Sequence, residues 1–131
     1  MAKMNPVVHF EMPAEDAKRM AGFYSSVFGW QTQMMGEQMG NYVLASTTPT
    51  GPDTRPTSPG AINGGFFPKS DDNAVTSLAI AVDDIKAHMK KVTGAGGKVL
   101  GEPVEIPGVG WYVAFIDTEG NRMSLLQPSM G

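Results

Sequence analysis

Two residues apart in the segment VVHFEM, His9 and Glu11 bring an imidazole and a carboxylate together if the segment is extended. Side chains alternate across a strand, so Val7, His9 and Glu11 share one face, while Val8, Phe10 and Met12 share the face that packs under helices. A neighbouring imidazole and carboxylate polarise each other for acid–base work, or anchor a polar ligand by hydrogen bonds. A purely structural use, with His9 bonded only to Glu11 or water, stays open beside both. The second histidine, His88, lies among Lys86, Lys90 and Lys91 and reads as part of a solvated helix face. With two histidines and no cysteine, neither a Ser-His-Asp nor a Cys-His arrangement can be assembled. The run GAGGKV follows a helix instead of preceding one, so it reads as a helix stop and not as a phosphate cradle.

The elements that must position these groups follow from periodicity. Val7 to Met12 is a β-branched and aromatic strand that Pro13 is expected to end. Asp16 caps a helix whose buried stripe is Ala17, Met20, Ala21, Tyr24, Val27 and Phe28, with Gly29 as its stop. Strands are expected over Trp30 to Met35, Asn41 to Ala45 and Asn63 to Phe67. The second half repeats the pattern: a strand over Ser77 to Val82, a cap at Asp83-Asp84, an apolar stripe of Ile85, Met89 and Val92, then strands over Lys98 to Ile106, Trp111 to Ile116 and Arg122 to Gln127. At an offset of 68 residues His9 meets Ser77, Asp16 meets Asp84, and Gly29 meets Gly97. This is an internal strand–helix–strand–strand–strand repeat, and each half is too small to bury its sheet alone.

At 131 residues the chain is one domain's worth by length, with modules of about 5–68 and 74–128. Hydrophobic residues make up 41% and charged ones 18%, and the net charge of −3 offers no basic field for nucleic acid. Without cysteine there is no disulfide framework, no thiolate nucleophile and no sulfur metal site. No stretch reaches the ~18 consecutive apolar residues of a membrane span, and the N-terminus lacks a signal-like run. A cytoplasmic location with no membrane partner is the expectation. Between the halves of module one, Ser46 to Ile62 (STTPTGPDTRPTSPGAI) is a long polar, Pro-rich connection that reads equally as a lid or as disorder. Met34, Met35 and Met39 suit irregular apolar filling. PGVGW is a tight turn after which Trp111 and Tyr112 point to opposite faces, one of them towards a ligand.

Three segments, VVHFEMPAEDAKRMAGFYSSVFGW, LAIAVDDIKAHMKKVTGAGGKV and GWYVAFIDTEGNRMSLLQP, together resemble the vicinal oxygen chelate superfamily of glyoxalase I, bleomycin-resistance proteins, extradiol dioxygenases and methylmalonyl-CoA epimerases. The resemblance spans nearly the whole chain and implies an α+β fold of two tandem βαβββ modules around a shared cup. Metal-dependent members carry His or Gln on the first strand of each module and a carboxylate on the last. Carried over, His9 falls at the first ligand position, Gly64 or Gly65 at the second, Ser77 at the third and Ser124 at the fourth. Glycine offers no donor and a neutral hydroxyl is a poor ligand, whereas a stable divalent site needs three or four donors. No metal cofactor is therefore expected.

The resulting reading is a metal-free small-molecule-binding protein. His9, Glu11, Ser77, Ser124 and the aromatics Trp111 and Tyr112 are its candidate ligand contacts. Ser124 is expected to border a wet cavity, so that losing its hydroxyl costs less than ~1 kcal/mol. A glyoxalase-type lyase or isomerase with an unconventional metal site, related also to the dioxygenases, is the enzyme alternative; an interaction module with a vestigial cup is the third. The resemblance also implies a homodimer, for which exposed sheet edges give a physical motive.

Overall fold

The computed structural model describes residues 4–37, 40–51, 56–106 and 109–128. In chain order the elements are β1 (Val7–Ala14), α1 (Ala17–Phe28), β2 (Gln31–Met34), β3 (Val43–Ser46), β4 (Asn63–Pro68), β5 (Ser77–Ala81), α2 (Ile85–Gly94), β6 (Lys98–Ile106), β7 (Gly110–Ile116) and β8 (Arg122–Pro128). This is an α+β chain in which βαβββ occurs twice. It forms two compact units, one of His9–Thr76 and one of Ser77–Gly131 with Met1–Val8.

In the first unit β2 pairs antiparallel with β3, β3 antiparallel with β4, and β4 parallel with β1. Pairing of β1 with β4 runs on through Pro13, opposite Phe67, to Ala14, whose carbonyl accepts from Lys69 N–H at 3.0 Å. Pro13 thus fails to end the strand: near its end a missing N–H costs little while neighbouring carbonyls still find donors. Phe10, Val43, Ala45 and Phe66 form the core beneath α1, joined by Ala21 and by partly buried Met12, Met20, Tyr24 and Trp30. Asp16 caps α1, its carboxylate accepting from Arg19 N–H at 3.0 Å, and Gly29 closes it in the left-handed region at φ 74°. Val27 and Phe28, expected in the buried stripe, are 56% and 59% exposed. The core uses only the first two turns of that stripe, and Phe28 instead lies against Tyr24 and Trp30 at ring distances of 5.9 and 6.2 Å.

The second unit repeats this order. β5 pairs parallel with β8, and β8 and β6 flank β7 antiparallel. Val82, Ile85, Val113, Phe115 and Leu125 are its core, with Met89 and Val92 of α2 packed against them. Asp84 caps α2 by accepting from Ala87 N–H at 3.1 Å, and Gln127 Oε1 accepts from Ile85 N–H at 2.9 Å, satisfying another of the helix's orphan donors. The left-handed residue after α2 is Gly96, at φ 99°, one place before the Gly97 that aligns with Gly29.

Candidate functional site

On β1 the alternation predicted from VVHFEM holds: Phe10 and Met12 belong to the core under α1, and His9 and Glu11 lie together on the opposite face. The register of the first unit extends that face. Asn63 sits opposite His9, Gly65 opposite Glu11, and Leu44 opposite Gly65. Of Gly64 and Gly65, it is therefore Gly65 that shares the face of His9 and Glu11. A β-carbon at Gly64 would run into the Phe10 ring on the core side; one at Gly65 would run into the hydroxyl end of Tyr42.

Tyr42, just ahead of β3, thus occupies the space that a side chain at 65 would need. Its hydroxyl donates to Glu11 Oε2 at 2.8 Å and lies 2.9 Å from His9 Nε2. His9 Nε2 is 3.5 Å from the other carboxylate oxygen, Oε1. Glu11 is only 5% exposed. A carboxylate at such depth costs stability unless it is hydrogen-bonded, and here the phenol supplies a short, charge-assisted bond. The arrangement can hold a polar ligand, and it can pass a proton along a chain of three titratable groups.

Sequence reasoning missed Tyr42, although a signal was there: alternation within NYVLA sets Tyr42 on the same side as Leu44. Only the hairpin register, which is not local, brings it over Gly65. Asn63 was likewise missed as a chemical group. Its Oδ1 accepts from Thr47 N–H and its Nδ2 donates to Thr50 Oγ1, both at 2.8 Å, while Thr47 Oγ1 donates to the Ile62 carbonyl at 2.6 Å. Thr57 N–H and Oγ1 both donate to the Pro49 carbonyl at 3.0 Å. The described part of the Ser46 to Ile62 connection is therefore tied to β4 and to itself; residues 52–55 lie outside the described residues.

The second unit gathers its polar groups differently. Tyr112, Ala114, Ser124 and Leu126 share the face turned away from α2, as do Ser77 and Ala79 of β5, since Ala79 lies opposite Ser124 and Ser124 opposite Ala114. Ser124 is fully buried and donates to Tyr112 Oη at 2.9 Å, which corrects the expectation that its hydroxyl borders water. Ser77 is buried at 5% exposure. Trp111 alternates with Val113 and Phe115, on the α2 side, and is 41% exposed, so of the two aromatics Tyr112 is the one beside Ser124. His88 is half-buried instead of solvated, and its Nδ1 has no hydrogen-bond partner among the described residues. Met34 is 48% exposed, while Met39, Pro107 and Gly108 lie outside the described residues.

Three other features bear on the site. A groove of about 510 Å³ lies at the start of α1, lined by Pro13, Asp16, Arg19, Met20, Phe23 and Lys69 among others. It does not include His9, Glu11 or Tyr42; within it Lys69 lies 3.4 Å from Glu15, and Asp16 is spent on its cap. In the turn before β8, Asp117 accepts from Asn121 Nδ2 and N–H, both at 2.9 Å, and from Glu119 N–H at 2.8 Å; these bonds, that of the Asn121 side chain foremost, hold its carboxyl below the usual 3.8. The turn is a local structural device. As for a divalent ion, no group of three or more His, Cys, Asp or Glu is placed to hold one among the described residues. The face of His9 in the first unit provides one imidazole and one buried carboxylate, both engaged by Tyr42, with no room for a side chain at Gly65. Those two donors alone do not fit a metal centre.

A family model described as Glyoxalase/Bleomycin resistance protein/Dioxygenase superfamily matches residues 7–125. A glyoxylase-like domain-containing protein of Didymella fabae is 35% identical over 120 residues, covering 88% of each chain. The anthracycline biosynthesis protein DnrV of Streptomyces peucetius is 28% identical over 123 residues; the match covers 85% of this chain but only 42% of that protein. Among solved structures, a variant of the methylmalonyl-CoA epimerase of Streptomyces coelicolor, in complex with 2-nitronate-propionyl-CoA, superposes with a TM-score of 0.69 at 18% identity over 98% of this chain and 100% of that one. The epimerase of Mycobacterium tuberculosis gives 0.66 at 14% identity, over 95% and 88%. At such identities these two likenesses concern the fold. No helix among the described residues is long and apolar enough to cross a membrane.

Proposed function

Because the chain belongs to the Glyoxalase/Bleomycin resistance protein/Dioxygenase superfamily, we propose that it binds a small organic molecule, with the His9–Tyr42–Glu11 cluster as the polar anchor and without a divalent metal. One observation carries this reading. A carboxylate at 5% exposure is bonded to a phenol, and that phenol fills the space over a glycine and touches an imidazole. An apolar residue at position 11 would serve packing better, since a buried charge with its partners stabilises a fold little or not at all. Convergent polar groups on a sheet face are what a binding site uses to orient its ligand.

The chain of bonds from His9 through Tyr42 to Glu11 also favours a second reading, a lyase or isomerase of the glyoxalase type that moves a proton by this relay. Native mass spectrometry of the protein purified without added metal separates the two. A retained organic mass that disappears in Glu11→Gln supports binding. Stoichiometric metal that disappears in His9→Ala, together with a metal-induced rise in melting temperature, overturns the metal-free proposal and revives a metalloenzyme. The same spectrum reads the oligomeric state, for which a homodimer is proposed.

A further inference from the structure

We propose that the His9–Tyr42–Glu11 cluster selects a ligand carrying a protonated amine, or a similar cationic N–H donor, and rejects a carboxylate of the same shape. The proposal rests on the binding reading above and names its ligand class.

An ionised Glu11 only accepts. Tyr42 has one hydroxyl hydrogen, and it goes to Glu11 Oε2 at 2.8 Å. His9 Nε2 stands 2.9 Å from the same phenolic oxygen, whose hydrogen is already committed, so Nε2 must be the donor of that bond. In neutral imidazole this fixes the tautomer and leaves Nδ1 with a lone pair. Glu11 Oε1 lies 3.5 Å from Nε2, at the far limit of a hydrogen bond. None of the described hydrogen bonds reaches Oε1 or His9 Nδ1. Asn63, the register neighbour of His9, turns its amide to Thr47 and Thr50 instead.

The hydrogens of Tyr42 and of His9 Nε2 are thus spent inside the cluster, and the acceptor left beside the negative charge is Glu11 Oε1, while His9 Nδ1, on the far side of the ring, is an acceptor turned away from it. An ammonium brings three donors and the complementary charge. A carboxylate brings more acceptors and a like charge, at a depth where water screens poorly.

Three probes of one shape test this: benzylammonium, benzyl alcohol and benzoate, titrated into the intact protein near neutral pH. Long-range nitrogen–proton NMR follows the His9 ring, with His88 as internal control. Benzylammonium is expected to move the His9 signals, leave His88 unmoved, and bind at least about tenfold more tightly than benzoate. Glu11→Gln should abolish that preference. In Tyr42→Phe, which keeps the ring and frees the His9 Nε2 hydrogen, the preference should narrow as benzoate gains; this variant keeps the test decisive if Glu11→Gln does not fold. Benzoate or benzyl alcohol binding at His9 as tightly as benzylammonium overturns the charge selection while the binding reading stands. If no probe moves His9, both fall.

Discussion

Asp16 and Asp84 cap their helices by the same bond to the backbone three residues on, and each helix covers one face of four strands laid in the same order. On those covered faces the two modules use different apolar residues to one end. Phe10, Val43 and Phe66 in the first do what Val113, Phe115 and Leu125 do in the second, because a core asks for volume and apolarity more than for identity. The faces turned away from the helices differ in kind. The first carries an imidazole, a carboxylate and a phenol bonded in series; the second carries the buried Ala79, Ala114 and Leu126 with a serine donating to a phenol. The two modules are alike in what the fold needs and differ in the chemistry of the faces turned away from their helices.

The largest effects should be the ones on which the modules agree. Phe66→Ala and Leu125→Ala, each emptying a buried position, are expected to cost about 3–5 and 2–5 kcal/mol in urea unfolding. A cost confined to one of them would break the picture of equivalent cores. Smaller, and where the modules part, is the loss of a hydroxyl from the face turned away from the helix. Tyr42→Phe removes a bond to a carboxylate and should cost about 1.5–3 kcal/mol, whereas Ser124→Ala removes a neutral bond and should cost about 1 kcal/mol. Equal costs would mean that the Tyr42–Glu11 bond contributes no more than a neutral one.

The smallest effect should be that of Asp117. Its carboxyl titrates lower in the folded chain than its ordinary 3.8, so its bonds stabilise the fold at pH above that value, and the stabilisation is lost as pH falls through the folded value. Asp117→Asn should therefore lower the urea midpoint slightly near pH 7, and the gap should close in strong acid. A gap that widens in acid would reverse the sign and remove Asp117 from the turn's bonding.

Which of these groups the sequence discloses depends on how far apart the determining residues are. Caps and alternation are local, so α1 is readable to its ends from Asp16 and Gly29, and the shared face of His9 and Glu11 from three residues of strand. Burial at the end of a helix is not local: Val27 and Phe28 fit the apolar stripe, yet nothing in the stripe says where the core stops. Ser124 reads as a polar group at a cavity because the resemblance puts it at the fourth ligand position, but its environment is set by Tyr112 on the neighbouring strand. Tyr42 is the extreme case, since its role exists only once β3 and β4 are in register and a glycine lies beneath it.

That glycine constrains the order in which this protein could change. A β-carbon at position 65 and the ring at position 42 exclude each other, so any side chain entering at 65 must wait for a smaller residue at 42, whereas 42 can shrink while 65 stays glycine. The two positions form a ratchet with one open direction. Substitutions there should be strongly non-additive, with replacement of 65 disruptive in the present chain and tolerated once Tyr42 has gone.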